Sequence, residues 1–423
     1  MKNDIQVIIL AAGKGTRMKS DVPKVMHQIC HRPMISFVLD TVKAAKLRPV
    51  TVVVGYKDKL VRAVLDKKVK VVKQKRLLGT ADAVKAAASK LKSFQGDVLV
   101  LYADNPLLSP ETISQVVRQH KAADAACTLL TATVDNARGY GRVVRGYKGD
   151  VLAIVEEKDA TDQEKQIKEI SVGVYCFKCQ KLLWALNKVK PNNQKKEFYL
   201  TDVVAFLSKE EAKIEAASVD NKEEALGINS RYDLAEAARI MRLRIIAEFM
   251  QDGIEIVDPH TTYIAPGATI GKDTIIYPFS VIEDDVTVGK NCSIGPFCHL
   301  RPQTVVKDNV IIGNFTELIR TSIDSDSLAK HFSYLGDAAI GKRVNIGAGV
   351  VTANFDGKKK HKTSIKDDAF VGSDTVLIAP IKVGKKAITG AGSVVTKNKN
   401  VADKEIVGGV PARILSKKKK RTR

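Results

Sequence analysis

A short glycine-containing loop near the N-terminus is the first segment that could carry chemistry. The string LAAGKGTRM, residues 10–18, directly follows an apolar run typical of a β-strand. Backbone N–H groups of such a loop can bind phosphate, and Arg17 and Lys24 could neutralise its charge. The spacing matches neither the dinucleotide-binding G-x-G-x-x-G pattern nor the G-K-[ST] ending of a phosphate loop. The glycines alone therefore leave open a plain strand-to-helix turn.

Two single residues could serve as a metal ligand and as a proton acceptor. Asp104 follows the apolar run 97–102, and a hard cation such as Mg2+ binds carboxylate and phosphate oxygens. An aspartate there can equally be a loop cap. His331 could act as a general base, because imidazole titrates near neutrality. A lone histidine in a loop can equally be an ordinary surface residue.

Residues 1–229 alternate apolar runs with amphipathic segments. The runs include QVIILAAG, VTVVVG, DVLVLYAD and ISVGVYCF. This alternation predicts a Rossmann-like α/β domain with a mostly parallel sheet covered on both faces. Because open α/β sheets bind ligands at the carboxyl ends of their strands, the loop 10–18 and Asp104 should lie at one such edge.

A helical linker is predicted for residues 230–253. Ser230 and Asp233 fit a capping pattern, and Gly253 should end the helix. Apolar residues recur between them at helical spacing, namely Leu234, Ala238, Met241, Ile245 and Phe249.

From residue 264 onward the apolar period becomes six. The series runs through Ile264, Ile270, Ile276, Ile282, Val288, Ile294, Leu300, Val306, Ile312 and Leu318, resumes with Ile340, Ile346 and Thr352, and again with Ile365, Val371, Leu377, Val383 and Val395. Hexapeptide repeats predict a β-helix whose aliphatic residues stack inward.

Glycines and interruptions add two expectations for the β-helix. Gly271, Gly289, Gly295 and Gly313 should occupy corners, where glycine tolerates a positive φ. The breaks in the period, at 319–333 and 353–364, should be protruding loops, the first of them containing His331.

Several strings together resemble one enzyme family. LAAGKGTRM followed by PK resembles the signature of sugar-nucleotide pyrophosphorylases. Gln74, LLGTADA, YADNPLL, GYGR, IVEEKDA, EFYLTD and GINSR follow in the family's order. With the repeats, they resemble the bacterial bifunctional N-acetylglucosamine-1-phosphate uridylyltransferases and glucosamine-1-phosphate acetyltransferases, over residues 5 to about 412.

The resemblance implies an α/β nucleotidyltransferase domain at 1–229, the linker at 230–253, a left-handed parallel β-helix acetyltransferase domain at 254–412 and a basic tail at 413–423. It implies Mg2+ as cofactor, UTP and acetyl-CoA as co-substrates, and a homotrimer. Asp104 and Asn229 would hold Mg2+. The residues implied to bind UTP or UDP-N-acetylglucosamine are Leu10, Ala11, Gly13, Arg17, Lys24, Gln74, Gly79, Thr80, Tyr102, Asp104, Gly141, Glu156, Ser171 and Asn229. Ser171 departs from the family, which has asparagine there.

In the repeat region the resemblance makes His331 the general base that deprotonates the amine of glucosamine 1-phosphate. Sugar-phosphate contacts would come from Arg301, Tyr334, Asn345 and Lys360, and acetyl-CoA contacts from Ala348, Asn354, Phe355, Ser373 and Ala391.

Two departures affect this second site. Ile319 stands where the family has lysine, with Arg320 beside it. The family also has arginine near Gly408 or Gly409, whereas this chain has Arg413. In the family both missing groups face anions, the sugar phosphate and CoA, so both departures bear on acetyl transfer.

Three interpretations compete at this point. The chain could have both activities, it could be a uridylyltransferase whose β-helix only trimerises it, or it could be a regulatory scaffold built on the same folds. The intact LAAGKGTRM string, Asp104 and Asn229 argue against the scaffold.

Composition excludes other classes. The chain has 69 Lys and Arg against 47 Asp and Glu, a net charge of +22. Because no zinc-finger or aromatic RNA-binding motif accompanies this charge, we interpret it as solvated lysine and expect no nucleic-acid partner. The tail SKKKKRTR at 416–423 is a charge run that predicts disorder. Cys176 and Cys179 form a single CxxC, which favours a shared strand over a zinc site.

No apolar stretch reaches about 18 residues, so no membrane-spanning helix is expected. The apolar run that precedes the first glycine is too short for a secretory signal. The expected location is the cytoplasm.

Overall fold

The computed structural model describes residues 4–88 and 91–415. The chain divides into two compact units, residues 1–240 and 241–423. The tail 416–423, for which the sequence predicts disorder, lies outside the described residues.

The first unit contains eleven of the described strands and begins the helix that leads into the second unit. Its strands are β1 Ile5–Ala11, β2 Gln28–Ile29, β3 Arg32–Pro33, β4 Val50–Val54, β5 Lys70–Lys73, β6 Asp97–Tyr102, β7 Cys127–Thr133, β8 Arg142–Arg145, β9 Val151–Val155, β10 Glu169–Lys178 and β11 Ile214–Ser218. Its helices are α1 Met34–Ala44, α2 Asp58–Arg62, α3 Thr80–Ala88, α4 Pro110–Ala123, α5 Asp162–Lys165, α6 Cys179–Lys188, α7 Asp202–Lys209 and α8 Arg231–Gln251, with 3-10 turns at Thr16–Met18, Lys24–Met26 and Lys222–Ala225.

Nine strands form one sheet in this unit. The main order is β11-β7-β10-β6-β1-β4-β5, with the β8–β9 hairpin paired to β10. The pairs β1–β4, β1–β6, β4–β5 and β7–β11 are parallel, while β10 runs antiparallel to both of its neighbours. The sequence prediction of a mostly parallel sheet is confirmed.

Helices cover both faces of the sheet, as a parallel sheet requires. Val7 and Ile9 of β1 pack in the cluster that contains the apolar face of α1, whereas Ile8 packs in the opposite cluster with α3, α6 and α7. All three side chains are at most 1% exposed. Cys176 lies in β10, but Cys179 begins α6, so the prediction that both cysteines share one strand is wrong.

The linker helix forms as predicted. Asp233 accepts hydrogen bonds from the backbone N–H groups of Ser230 (2.8 Å) and Asn229 (2.9 Å), and its own N–H donates to the Ser230 hydroxyl. This reciprocal cap begins α8 at Arg231. Gly253, with φ 88°, follows the end of the helix.

The second unit consists of short strands in three sheets. The first face contains β12 Glu255–Ile256, β15 Ile275–Ile276, β18 Ser293–Ile294, β21 Ile311–Asn314, β24 Leu328–His331, β27 Asn345–Ile346, β30 Phe370–Val371, β33 Ile388–Thr389, β35 Ile406–Gly408 and the antiparallel β36 Arg413–Ile414. The second face contains β13 Tyr263–Ile264, β16 Val281–Ile282, β19 His299–Leu300, β22 Glu317–Ile319, β25 Tyr334–Gly336, β28 Val351–Ala353, β31 Val376–Ile378 and β34 Val394–Val395. The third contains β14 Thr269–Ile270, β17 Val286–Val288, β20 Thr304–Val306, β23 Ser322–Ile323, β26 Ala338–Ile340, β29 Thr363–Ile365 and β32 Ile381–Val383.

Apart from β36, strands within each face are parallel, and one coil takes 18 residues where the period is unbroken, as in Ile276 opposite Ile294 and Ile294 opposite Ile312. Every residue of the predicted period-six series is at most 9% exposed. The unit is a left-handed parallel β-helix, as the repeats predict.

The expectation for the corner glycines is wrong for three of the four. Only Gly295 has a positive φ, 103°. A Cβ at Gly271 would lie 2.7 Å from the carbonyl carbon of Gly289 on the next coil, and one at Gly289 would lie 2.7 Å from the N atom of Asp308. These glycines are required by the close approach of successive coils. Asp and Asn residues carry positive φ instead, as at Asp273 and Asn291.

The first predicted loop is also absent from the described coils. Leu318, Ile323, Ala329 and Leu335 continue the inward series to Ile340, and the steps from Leu318 to Ile323 and from Leu335 to Ile340 take five residues instead of six. His331 therefore lies at the end of strand β24, paired with Asn314, rather than in a protruding loop. The second loop is confirmed, because residues 354–362 separate β28 from β29 and close on themselves through a Phe355–Lys360 bridge.

Candidate active sites

The carboxyl ends of β1 and β6 bring together residues that are far apart in sequence. The loop after β1 carries Arg17, a 3-10 turn carries Lys24, and Asp104 follows β6. Asn229 arrives from the other end of the unit, where the cap of α8 fixes its backbone N–H. These four residues therefore meet at the edge of the sheet that the sequence predicts.

One ammonium group lies at the centre of this cluster. Lys24 Nζ donates to Asp104 Oδ2 and, over 2.8 Å, to Asn229 Oδ1. Arg17 Nη2 donates to the same Asn229 oxygen over 2.6 Å. A carboxylate oxygen and an amide oxygen thus converge on a single point where a positive charge already sits.

Gly15 and Gly13 of the loop are needed for different reasons. Gly15 has φ 68°, and a Cβ there would lie 2.6 Å from Lys24 Cβ, so glycine lets the loop approach Lys24. A Cβ at Gly13 would have no described heavy atom within 4 Å. The space beside Gly13 is therefore available to a ligand.

A cavity of about 380 Å³ extends from this loop towards α3. Leu10, Gly13, Gln74, Gly79 and Thr80 line it, and Ala11 lines an adjoining cavity of about 260 Å³. These six residues, all implied to bind UTP or UDP-N-acetylglucosamine, thus lie in two adjoining cavities.

Two interactions shape the wall of this cavity. The Gln74 side-chain amide donates to Asp82 Oδ2 (2.7 Å) and to the Gly79 carbonyl (3.1 Å). Gly79 has φ 116°, and a Cβ there would lie 2.7 Å from the N atom of Phe198. A larger residue at 79 would push the segment around Phe198 out of place.

The other end of the cleft has about 260 Å³. Tyr102, Asp104, Gly141, Glu156 and Ser171, all implied to bind UTP or UDP-N-acetylglucosamine, line it together. Burial raises the pKa of Glu156, and burial also raises the pKa of Tyr102 well above its ordinary value. The Tyr102 hydroxyl therefore stays protonated at neutral pH and can donate a hydrogen bond.

Ser171, the departure from the family, is already engaged. Its hydroxyl lies 2.8 Å from the Tyr175 hydroxyl, and its side chain is 8% exposed. Ser171 thus lines the cleft through a paired hydroxyl, where the family's asparagine would offer an amide.

The cleft also contains residues that sequence reasoning missed. These are Asn105, Tyr140, Lys195, Tyr199 and Thr201. Tyr140, Tyr199 and Thr201 lie inside the strings GYGR and EFYLTD, which could have indicated them. Lys195 lies in a run of polar residues, 192–196, and only the fold distinguishes it from a solvated lysine.

In the β-helix, the implied general base and three of the five implied acetyl-CoA residues form one column. His331 pairs in register with Asn314, and Ala348, Ser373 and Ala391 take the equivalent position on the following coils. The backbone bonds Asp374 N–H to Ala348 O (2.7 Å) and Gly392 N–H to Ser373 O (2.8 Å) tie these coils together. We call this set the corner column.

The implied sugar-phosphate contacts flank the corner column unevenly. Asn345 lies on the first face, and Tyr334 lies on the second. Arg301 lies at the far end of a second-face strand, where Nη1 donates to Glu317 Oε1 over 2.9 Å. Lys360 is exposed in the loop 354–362. The described residues thus place the implied set on two faces and a loop rather than in one pocket.

Arg320 cannot simply replace the lysine that is missing at Ile319. Its Nε and Nη2 donate to the two Asp337 oxygens over 2.6 and 2.8 Å, and this pairing lowers the pKa of Asp337. Asp337 in turn accepts from Asn354 Nδ2 over 2.5 Å. Arg320 therefore anchors Asn354, while Ile319 is 9% exposed on the second face.

The second departure concerns the family's arginine near Gly408 or Gly409, and a hairpin brings Arg413 close to that position. Strand β36 folds back on β35 so that Arg413 is the register partner of Gly408. Arg413 is thus a direct cross-strand neighbour of Gly408, although the two residues are five positions apart in the sequence. Arg413 is exposed there, next to the position where the family carries its arginine.

Three family models match separate parts of the chain. The MobA-like NTP transferase domain matches residues 7–169, the bacterial transferase hexapeptide model matches 285–320, and the hexapeptide repeat of succinyl-transferase matches 362–397. Fold and site together therefore define a two-domain transferase, with a nucleotidyltransferase domain followed by a hexapeptide acyltransferase domain.

Curated relatives extend over nearly the whole chain. Proteins named bifunctional protein GlmU are 41% identical in Shouchella clausii (92% of this chain, 93% of the relative), 42% in Geobacillus thermodenitrificans (92% and 92%) and 40% in Thermosipho melanesiensis (93% and 93%). The chain belongs to the GlmU family. It is a bifunctional enzyme of UDP-N-acetylglucosamine synthesis, with uridylyltransferase and acetyltransferase activities.

Proposed function

We propose that uridylyl transfer takes place in the cleft between the β1 loop and β10. Leu10, Ala11, Gly13, Gln74, Gly79 and Thr80 would hold the uridine end of UTP. Gly141, Glu156, Ser171 and Tyr102 would hold N-acetylglucosamine 1-phosphate. The supporting observation is the convergence of Arg17, Lys24, Asp104 and Asn229 between these two groups of residues.

We propose that Asp104 and Asn229 also bind Mg2+. Their oxygens fit a hard cation, and their acceptance of hydrogen bonds from the Lys24 ammonium supports a preference for positive charge at that point. In the described part of the chain no group of three or more His, Cys, Asp and Glu could hold a metal, so phosphate oxygens would complete the ligand set. When bound, Mg2+ would supply charge neutralisation for the triphosphate.

The chain's own residues then act by position and charge. Arg17 and Lys24 would neutralise phosphate oxygens, and Glu156 would orient the sugar. A phosphate oxygen of N-acetylglucosamine 1-phosphate attacks the α-phosphorus of UTP, and pyrophosphate leaves. Such a reaction needs no covalent enzyme intermediate, because alignment and charge stabilisation supply most of the rate.

For acetyl transfer we propose His331 as the general base. It is exposed at the end of β24, where it could take a proton from the amine of glucosamine 1-phosphate. The amine attacks the thioester carbonyl of acetyl-CoA, and the CoA thiolate leaves. Because Ala348, Ser373 and Ala391 share the corner column with His331, a cofactor lying along that column would present its thioester to the same point. Asn354 and Phe355 would contact it from the loop.

We further propose that the protein is a homotrimer. Phe279, Phe297 and Phe315 stack in a ladder with ring centroids 4.8 and 4.9 Å apart. With Phe332 they occupy successive coils beside the corner column and are 44–61% exposed. Exposed apolar patches of this kind mark interfaces, and homo-oligomers close with cyclic symmetry. A ladder covered by a second copy would also place that copy beside His331.

Light scattering tests the trimer. Wild-type protein at micromolar concentration should give about three times the 46.1 kDa chain mass. Phe315→Asp should dissociate it, whereas Tyr147→Asp, at an exposed aromatic residue of the first unit, should not. A monomeric wild-type protein would contradict the proposal.

We also propose the domain limits 1–229, 230–253 and 254–412, and a cytoplasmic location. The location is supported by the proposed co-substrates, UTP and acetyl-CoA, and by the described cysteines, which form no disulfide. No described helix is long and apolar enough to cross a membrane.

Two parallel assays test the proposed substrates. Purified protein is given UTP with N-acetylglucosamine 1-phosphate and Mg2+, and separately acetyl-CoA with glucosamine 1-phosphate. We expect pyrophosphate release in the first assay and free CoA thiol in the second. Turnover only with a different sugar phosphate in the first assay would overturn the assignment of Glu156, Gly141 and Ser171.

A further inference from the structure

Lys195 lies where two parts of the α/β cleft meet. The sugar-side cavity and the cavity beside the β1 loop, each of about 260 Å³, share five described lining residues. Four of them are Arg17, Lys24, Asp104 and Asn229, and the fifth is Lys195. The first four carry the phosphate and Mg2+ roles proposed above, whereas Lys195 has no role in that scheme.

A tight loop presents Lys195 to the cleft. Asn193 Nδ2 donates to the Glu197 carbonyl over 2.6 Å, and the Glu197 N–H donates back to Asn193 Oδ1 over 3.1 Å. Between these two residues, the Gln194 N–H donates to Asp159 Oδ1 over 2.9 Å. Lys195 is therefore the middle residue of a loop that is closed by its own hydrogen bonds and attached to the segment after β9.

The ammonium of Lys195 faces the sugar end of the cleft. Its Nζ lies 5.9 Å from the centroid of the Tyr199 ring, and Tyr199 lines the sugar-side cavity. Burial raises the pKa of the Glu156 carboxyl, and the charge of Lys195 acts against that rise. Lys195 is not among the described residues that line the cavity of about 380 Å³ containing Gln74 and Gly79. The position of its charge thus favours the sugar substrate over the uridine end of UTP.

The charge of Lys195 is also available to a ligand. Lys24 is paired with Asp104, but within the described chain no carboxylate forms an ion pair with Lys195. Lys195 is exposed at the cleft, and a lysine ammonium offers three hydrogen-bond donors. An ammonium in this situation can bind an anion without first breaking an internal ion pair.

We propose that Lys195 binds the phosphate of N-acetylglucosamine 1-phosphate. The ammonium would donate a charge-assisted hydrogen bond to a phosphate oxygen and hold that phosphate beside Arg17 and Lys24. Another oxygen of the same phosphate forms the bond to the α-phosphorus of UTP while the bond to pyrophosphate breaks, so Lys195 transfers no proton. This role of Lys195 rests on the proposed uridylyl transfer and adds a third cation to it.

Steady-state kinetics of three variants test the role. Lys195→Gln should raise the KM for N-acetylglucosamine 1-phosphate about 10-fold or more, because a charge-assisted hydrogen bond is lost, with little change in the KM for UTP. Lys195→Arg should retain most of the wild-type affinity, since a guanidinium also binds phosphate. Lys196→Gln is the matched control, because Lys196 is the exposed neighbour in the same loop and lines neither cavity. It should leave both KM values unchanged.

Thermal midpoints and acetyl transfer establish that each variant is folded. Three results would overturn the role of Lys195: no rise in the KM for the sugar phosphate, an equal rise in the two glutamine variants, or an equal rise in the KM for UTP. The second would show only general charge attraction, and the third would place the ammonium on the triphosphate. If the wild type released no pyrophosphate, the proposed uridylyl transfer itself would be contradicted, and the role of Lys195 with it.

Discussion

The two units build their sites by different means. In the α/β unit, Lys24 meets Asp104, 80 residues away, and Asn229, 205 residues away, at a single ammonium group. In the β-helix, His331, Ala348, Ser373 and Ala391 are placed by the register of successive coils. The proposed uridylyl-transfer site is a cleft within one chain, while the proposed acetyl-transfer site lies along a largely exposed edge.

This difference has consequences for mutation. In the cleft, Lys24, Asp104 and Asn229 are paired with one another within the chain, so one substitution removes a defined electrostatic interaction. On the exposed edge, contacts depend on what covers the column. The predictions below test whether the two sites are independent and how each depends on single charges.

The largest expected effect is that of His331→Ala. It should reduce acetyl transfer by about 100- to 10,000-fold, because the proposed general base is lost, while uridylyl transfer stays near wild type. Initial rates of CoA release and pyrophosphate release measure the two activities. Unchanged acetyl transfer would remove His331 from the mechanism.

Asp104→Asn should produce the opposite selectivity. Uridylyl transfer should fall on the order of 100-fold or more, comparable to the loss of a major electrostatic stabiliser. Acetyl transfer should persist, since the second unit has its own core. If both activities fell together, the two units would not be independent.

Ile319→Lys sharpens the comparison on the β-helix side. Because Arg320 is held by Asp337, a lysine at 319 would add a phosphate contact that the wild type lacks. The KM for glucosamine 1-phosphate should fall about 10-fold or more, with little change in the KM for acetyl-CoA. No change in an active enzyme would mean that Arg301 already binds the phosphate.

Arg413→Ala should have a smaller effect. The side chain is exposed opposite Gly408, so its contribution to CoA binding is that of a surface charge, and the KM for acetyl-CoA should rise up to about 5-fold. Lys404→Ala, at another exposed cation of the same unit, is the matched control. An equal rise in both variants would indicate only general charge attraction.

The smallest effect concerns stability. The pKa of Asp202 is raised from 3.8 to about 6 in the folded chain, so the ionised carboxylate destabilises the folded state as the pH rises from 4 through 6. Asp202→Asn should therefore raise the free energy of unfolding at pH 7.5 by about 1–3 kcal/mol. A higher thermal midpoint of the variant at that pH would measure this gain. The gain should vanish near pH 4, and Asp162→Asn should show none.

Local patterns in the sequence predicted much of this architecture. Every residue of the period-six series from Ile264 to Val395 proved to be inward, because each coil repeats the same local requirement. The series missed Ile323, Ala329 and Leu335, where the period is interrupted. The alternation in the first 229 residues predicted the covered, mostly parallel sheet. The capping pattern of Ser230 and Asp233 predicted the start of α8. Strand ends indicated where Asp104 and the glycine loop would meet.

The rest depended on tertiary contacts. Whether Gly271 needs a positive φ or close packing depends on the coil above it, 18 residues away. The break at 319 could be a loop or a shortened face, and only the pairing of β24 with β21 decides for the strand. Arg320 carries a positive charge that could bind phosphate, but it forms a salt bridge with Asp337 instead. Sequence determines which chemistry a residue can offer, whereas long-range packing determines which partner receives it.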